Sequence, residues 1–94
     1  MLGLNKIVNN IKHMKIYLIS QNENDDYDTY DSAVVYAKDE KEVRKIHPSG
    51  RQKEWRDESC SNWCDKPSQV EVKYIGEAPK QKKKGVILSS FNAG

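Results

Sequence analysis

The sequence predicts a small α+β protein, an antiparallel sheet of about four strands in the chain order β-β-α-β-β, with one short helix on one face. Three observations carry this expectation. β-branched and aromatic runs recur along the chain, each bounded by polar, glycine or proline residues. Asp39, with Glu42 three residues on, is a helix start signal placed directly after the second run. The length, 94 residues, suits one domain with a single thin core.

Residues 1–13 read as an N-terminal arm or short amphipathic helix. Leu4, Ile7, Val8 and Ile11 fall at helical spacing, weakened by Asn5, Asn9 and Asn10. The single α+β domain spans 14–94 and starts at an internal methionine, Met14. Lys15–Ser20 is the first strand and Ser32–Ala37 the second, joined by the polar, acidic stretch Gln21–Asp31. Asp39 then caps a helix with Glu40 and Glu42 in its first turn and Arg44, Lys45 and His47 near its last, the charge order that suits the helix dipole. Val43 and Ile46 share the face that should lie on the sheet, and Pro48 stops the helix at His47. Arg51–Ser68 has no clean period and reads as an irregular excursion anchored by Trp55 and Trp63. Gln69–Ile75 alternates apolar and polar residues and Gly85–Ser89 is apolar, giving strands three and four. Their connection holds the lysine run, read as a hairpin tip.

Composition excludes several classes. No stretch approaches the roughly 20 apolar residues of a membrane span, and residues 1–13 lack a signal-peptide core, so no membrane partner and a cytoplasmic location are expected. Net charge is only +2, without the global basic field usual in nucleic-acid binders. That balance conceals an acidic run, Glu23, Asp25, Asp26, Asp28 and Asp31, and a basic run, Lys80, Lys82, Lys83 and Lys84. Asn24, Asp26 and Asp28 alternate as at the start of a calcium loop, but the required glycine is missing and the twelfth position is Val35. Cys60 and Cys64 have the wrong spacing for a zinc knuckle, and neither His13 nor His47 completes a zinc pattern. No metal site and no cofactor are expected. His47 lacks a nucleophile partner and reads as a helix-terminal histidine near the last carbonyls, so no catalytic residue is assigned.

The acidic run interleaves Tyr27 and Tyr30. Carboxylates with aromatic rings suit a basic protein patch, the charges steering and the rings anchoring. Asp25, Asp26, Tyr27, Asp28, Tyr30 and Asp31 are therefore the expected partner-binding residues. The alternative is a small nucleic-acid-binding protein, with Lys80, Lys82, Lys83 and Lys84 on phosphates and Trp55 or Trp63 stacked on bases. A homodimer formed through sheet edges is compatible with either.

Tyr27-Asp28-Thr29-Tyr30-Asp31-Ser32-Ala33-Val34-Val35, Ile46-His47-Pro48, Gly76-Glu77-Ala78 and the ending Gly85-Val86-Ile87-Leu88-Ser89-Ser90-Phe91-Asn92-Ala93-Gly94 resemble short uncharacterised proteins of bacteriophages and prophages. The resemblance covers roughly 14–94 and leaves the N-terminal arm outside. It implies a phage or prophage accessory protein, not an enzyme, acting in the bacterial cytoplasm on a host protein. The most specific form of that expectation is an inhibitor of a nuclease-containing host defence complex such as CRISPR-Cas.

Overall fold

Lys15–Ser20 (β1) and Thr29–Ala37 (β2) pair antiparallel at the centre of a four-stranded sheet. A computed structural model describes residues 14–51, 54–56, 62–79 and 83–92. Glu40–Val43 is a short helix (α1), Pro67–Gln69 a 3₁₀ turn, and Glu71–Glu77 (β3) and Gly85–Asn92 (β4) complete the sheet. The N-terminal arm, Cys60, Lys80 and Lys82 lie outside the described residues.

The strand order is β3-β1-β2-β4, with every pairing antiparallel. The expected hairpin between strands three and four does not form. β3 pairs with β1 and β4 with β2, so they occupy opposite edges of the sheet. The reason is hydrogen-bond supply. β1 and β2 each keep a second row of backbone donors and acceptors after pairing, and the two later strands satisfy one row each. Met14 extends the β1–β3 ladder by accepting from the Ala78 N–H at 2.9 Å.

Strand alternation sorts the side chains. Tyr17 and Ile19 of β1 and Ala33, Val35 and Ala37 of β2 face the core, while Ile16, Leu18, Val34 and Tyr36 point to the other face and are half-buried. That second face continues onto Leu88, which aligns with Val34 and is 68% exposed. Asp31 interrupts the alternation. It sits in a bulge between Tyr30 and Ser32, so Tyr30 returns to the core side with Ala33.

α1 begins as expected and ends early. Asp39 has an extended backbone and its carboxylate accepts from the Glu42 N–H at 2.8 Å. Glu42 reaches back to the Lys38 N–H at 2.9 Å, one residue further upstream than a capping box requires. The helix was expected to continue to His47 but gives way after Val43 to tighter bonds, Lys45 N–H to Glu42 and Ile46 N–H to Val43. Three tertiary bonds explain the change. The Lys45 carbonyl accepts from the Trp55 N–H at 3.1 Å, and the Arg44 guanidinium leaves the helix end for the Val70 and Pro67 carbonyls. Val43 and Ile46 are buried on the sheet as the spacing implies.

So short a helix covers little of the sheet. The excursion after His47 supplies most of the cover, with Trp55, Trp63, Cys64 and Val70 in one cluster with the core residues of β1, β2 and α1.

Candidate functional site

The acidic stretch is a built loop closing one end of the sheet. Gln21, the residue after β1, is 4% exposed and uses both ends of its amide. Its Oε1 accepts from the N–H groups of Glu23 and Asn24, each at 2.8 Å. Its Nε2 donates to the carbonyls of Asn24 at 2.7 Å and Tyr30 at 3.0 Å. The Asn24 side chain then bonds in two directions, Oδ1 to the Asp26 N–H and Nδ2 to the Trp63 carbonyl. The carbonyl of Asp26 accepts from the Thr29 hydroxyl and from Asn92 Nδ2. Asp28 takes a left-handed backbone, φ 64°, which aspartate tolerates better than most residues, and its N–H bonds to the Asn92 carbonyl. The loop is thereby tied to β2, to the end of β4 and to the tryptophan segment.

On this frame Asp25, Asp26, Tyr27 and Asp28 are exposed, and Tyr27 most of all at 75%. Asp31 is exposed beside them at the β2 bulge. Glu71, the first residue of β3, joins the same end through a 2.8 Å bond from Asn22 and was not foreseen. Tyr30 is a correction. Its ring packs on the core, edge-on to His47 at 6.0 Å and to Phe91 at 4.8 Å, because the bulge turns it inward. It supports the loop from below and is half-buried, so only part of the side chain remains on the surface.

The nucleic-acid expectation is corrected in its aromatic half. Trp55 and Trp63 are both 0% exposed, so neither ring can stack on a base. They are core residues, and neither indole N–H finds an acceptor among the described residues. Lys83 and Lys84 are exposed at the opposite end of the molecule from the acidic loop, since β4 runs antiparallel to β2 with Gly85 beside Tyr36 and Asn92 beside Thr29. There they line a cleft with Lys45 and Arg51, which sequence reasoning did not single out.

His47 is 3% exposed and locked in place. The Ser49 N–H donates to Nδ1 at 3.1 Å, so Nδ1 is an acceptor and Nε2 carries the hydrogen that bonds Asn62 Oδ1 at 3.1 Å. This replaces the expected contact with helix-end carbonyls. It also joins the turn at Pro48 to the tryptophan segment, where the Asn62 carbonyl accepts from the Tyr30 N–H at 2.9 Å. Cys64 is buried, its thiol bonded to the Lys66 carbonyl. Among the described residues no group of His, Cys, Asp or Glu is placed to hold a metal ion, and no helix is long and apolar enough to cross a membrane.

Two tyrosines on the core side have raised pKa values. Burial chiefly pushes Tyr17 above the ordinary 10.0, aided by the charges of Asp39, Glu40 and Glu77. Tyr74 is raised mainly by the hydrogen bond it donates to Glu77. The rings meet edge-on at 5.9 Å and line a shallow groove with Lys15, Glu40, Val72 and Glu77.

Comparison of the chain with family models, curated proteins and solved structures finds no match.

Proposed function

We propose that this is a non-enzymatic protein-binding module whose contact surface is the acidic loop, with Asp25, Asp26, Tyr27 and Asp28 at its centre and Asp31 at its border. The observation that carries the reading is the exposure of Tyr27, at 75%, among carboxylates on a loop whose backbone is held by Gln21 and Asn24. A loop already fixed in shape loses little conformational entropy when a partner closes on it. A protruding tyrosine offers a large, stiff anchor, and the surrounding carboxylates attract and orient a basic surface.

A basic surface is the common property of proteins that handle nucleic acids. Together with the resemblance to short phage and prophage proteins, this favours a host nucleic-acid-handling protein as the partner. Its most specific form is a nuclease-containing defence complex such as CRISPR-Cas, which the protein would inhibit by occupying a nucleic-acid-binding surface.

The experiment compares three forms as baits in extracts of the bacterial host: wild type, Asp25→Lys/Asp26→Lys, and Tyr27→Ala. Asp28 is left alone because its left-handed backbone would penalise lysine. A basic, nucleic-acid-handling protein retained by wild type and lost from both variants is the expected result. Retention of the same proteins by all three forms would remove the loop from the function.

A further inference from the structure

We propose that β4 is an interaction edge and that its partner is a second copy of this chain, the two β4 strands pairing antiparallel about a two-fold axis. This goes beyond the protein-binding reading and does not rest on it. β4 is the last strand on its side of the sheet and bonds to β2 along one row of its backbone groups. Its outer row of donors and acceptors has no partner among the described residues. Such a row is a template for one more strand.

The two edges of the sheet differ in chemistry. β3 carries Glu71, Lys73 and Glu77, all of them exposed. Charges of this kind oppose pairing, because a docking strand would have to strip them of water. From Gly85 to Asn92, β4 has no charged residue and no proline. It exposes Ile87, Leu88 and Phe91 instead, by 44%, 68% and 46%. Ile87 is the extra residue of a bulge, so the regular run open to pairing is Leu88–Asn92. The charged β3 disfavours a β4-to-β3 contact, which would repeat without end. It leaves β4-to-β4 as the contact that closes.

The two ends of β4 favour a second copy over a foreign strand. Asn92 stands at the acidic end, where its carbonyl accepts from the Asp28 N–H and its side-chain amide donates to the Asp26 carbonyl. Lys83 precedes the strand at the other end and is exposed. Lys84 beside it is already paired with Glu54 at 3.6 Å, so the argument from charge uses Lys83 alone. A two-fold axis sets the strands end for end, which turns Lys83 of each copy toward the end of the other that carries Asp25 and Asp26. A parallel pair would set like ends together. The axis also keeps the faces matched. Leu88 of both copies lies on the face that holds Ile16, Leu18, Val34 and Tyr36, so one apolar band crosses a sheet of doubled width.

Sedimentation velocity of the full chain, over about a hundredfold range of concentration, reads the association. The expected result is a monomer–dimer equilibrium with no larger species. Leu88→Lys and Ser90→Lys, both at exposed side chains, each weaken the dimer at least about tenfold. Ile75→Lys, the same kind of change at an exposed position of β3, leaves it unchanged. Lys83→Glu weakens it about two- to fivefold at low salt and has no effect at high salt. Amide exchange followed from dilute to concentrated protein should slow at those amides of Leu88–Asn92 that β2 leaves unpaired, and not in β3. A monomer at every concentration overturns the proposal and leaves the edge to a foreign strand. So do growth beyond a dimer, and equal losses from the β4 and β3 variants. Unchanged exchange in β4 overturns it by moving the contact to the sheet face, and Lys83→Glu equal to wild type at low salt overturns the two-fold arrangement. All of these readouts use the purified chain alone, so their failure leaves the protein-binding reading standing.

Discussion

Gln21 shows how one side chain turns a string of carboxylates into a surface. It saturates two backbone donors and two backbone acceptors of the loop from a buried position. Gln21→Leu keeps the volume and removes all of these bonds, leaving polar groups unpaired, at a cost of about 1–3 kcal/mol. The expected outcomes are a lowered urea midpoint and faster amide exchange confined to residues 22–28. Nothing in the sequence marks this glutamine, which looks like the first residue of a polar loop. The exposed Asp25–Asp28 group was legible because charge and local composition declare it. Tyr30 was not, because the bulge at Asp31 changes which face it takes, and a bulge has no sequence signal here. Tyr17 supports a second prediction at this scale. Its native pKa is raised, so the folded state holds the phenolic proton more tightly than the unfolded state does. Its contribution to stability is complete below the ordinary 10.0 and is lost as pH rises through the higher native value. Denaturation midpoints followed into alkaline solution should fall, and Tyr17→Phe should flatten that fall.

Among the elements, β1, read with its exact bounds, and the start of α1 are the most readable, and the pairing of β3 and β4 the least. Asp39 to Glu42 is a local signal, and the structure uses it locally. Asp39→Ala should cost about 0.5–2 kcal/mol in an equilibrium unfolding experiment. Asp39→Asn should recover most of that, because the amide oxygen can still accept from the Glu42 N–H. The end of the helix was not readable, since it is set by Trp55 and by the reach of Arg44 to Val70, contacts between segments far apart in sequence. Strand pairing fails to be legible for a related reason. Alternation tells which residues face the core, but it carries no information about which strand is the neighbour. β3 and β4 looked like a hairpin because they are adjacent in sequence, whereas the open edges of β1 and β2 decide where they go. The Arg51–Ser68 excursion was correctly read as anchored by its rings where it is described, but its role as the main lid of the core followed only from the shortness of α1.

At the scale of the whole molecule, the antiparallel order separates the two charge runs. The acidic loop lies where β1 ends and β2 begins, and the basic cleft lies where β2 ends and β4 begins. A small net charge thus hides two opposed poles. The central claim is that the acidic pole recognises a basic protein surface. It is tested most directly by the association rate of the purified partner with wild type and with Asp25→Lys/Asp26→Lys, each followed as ionic strength rises. Steering by the loop predicts a wild-type rate that falls steeply with salt, and a variant rate at least about tenfold lower at low salt with a flat response. Equal rates and equal salt dependence in the two proteins would contradict it.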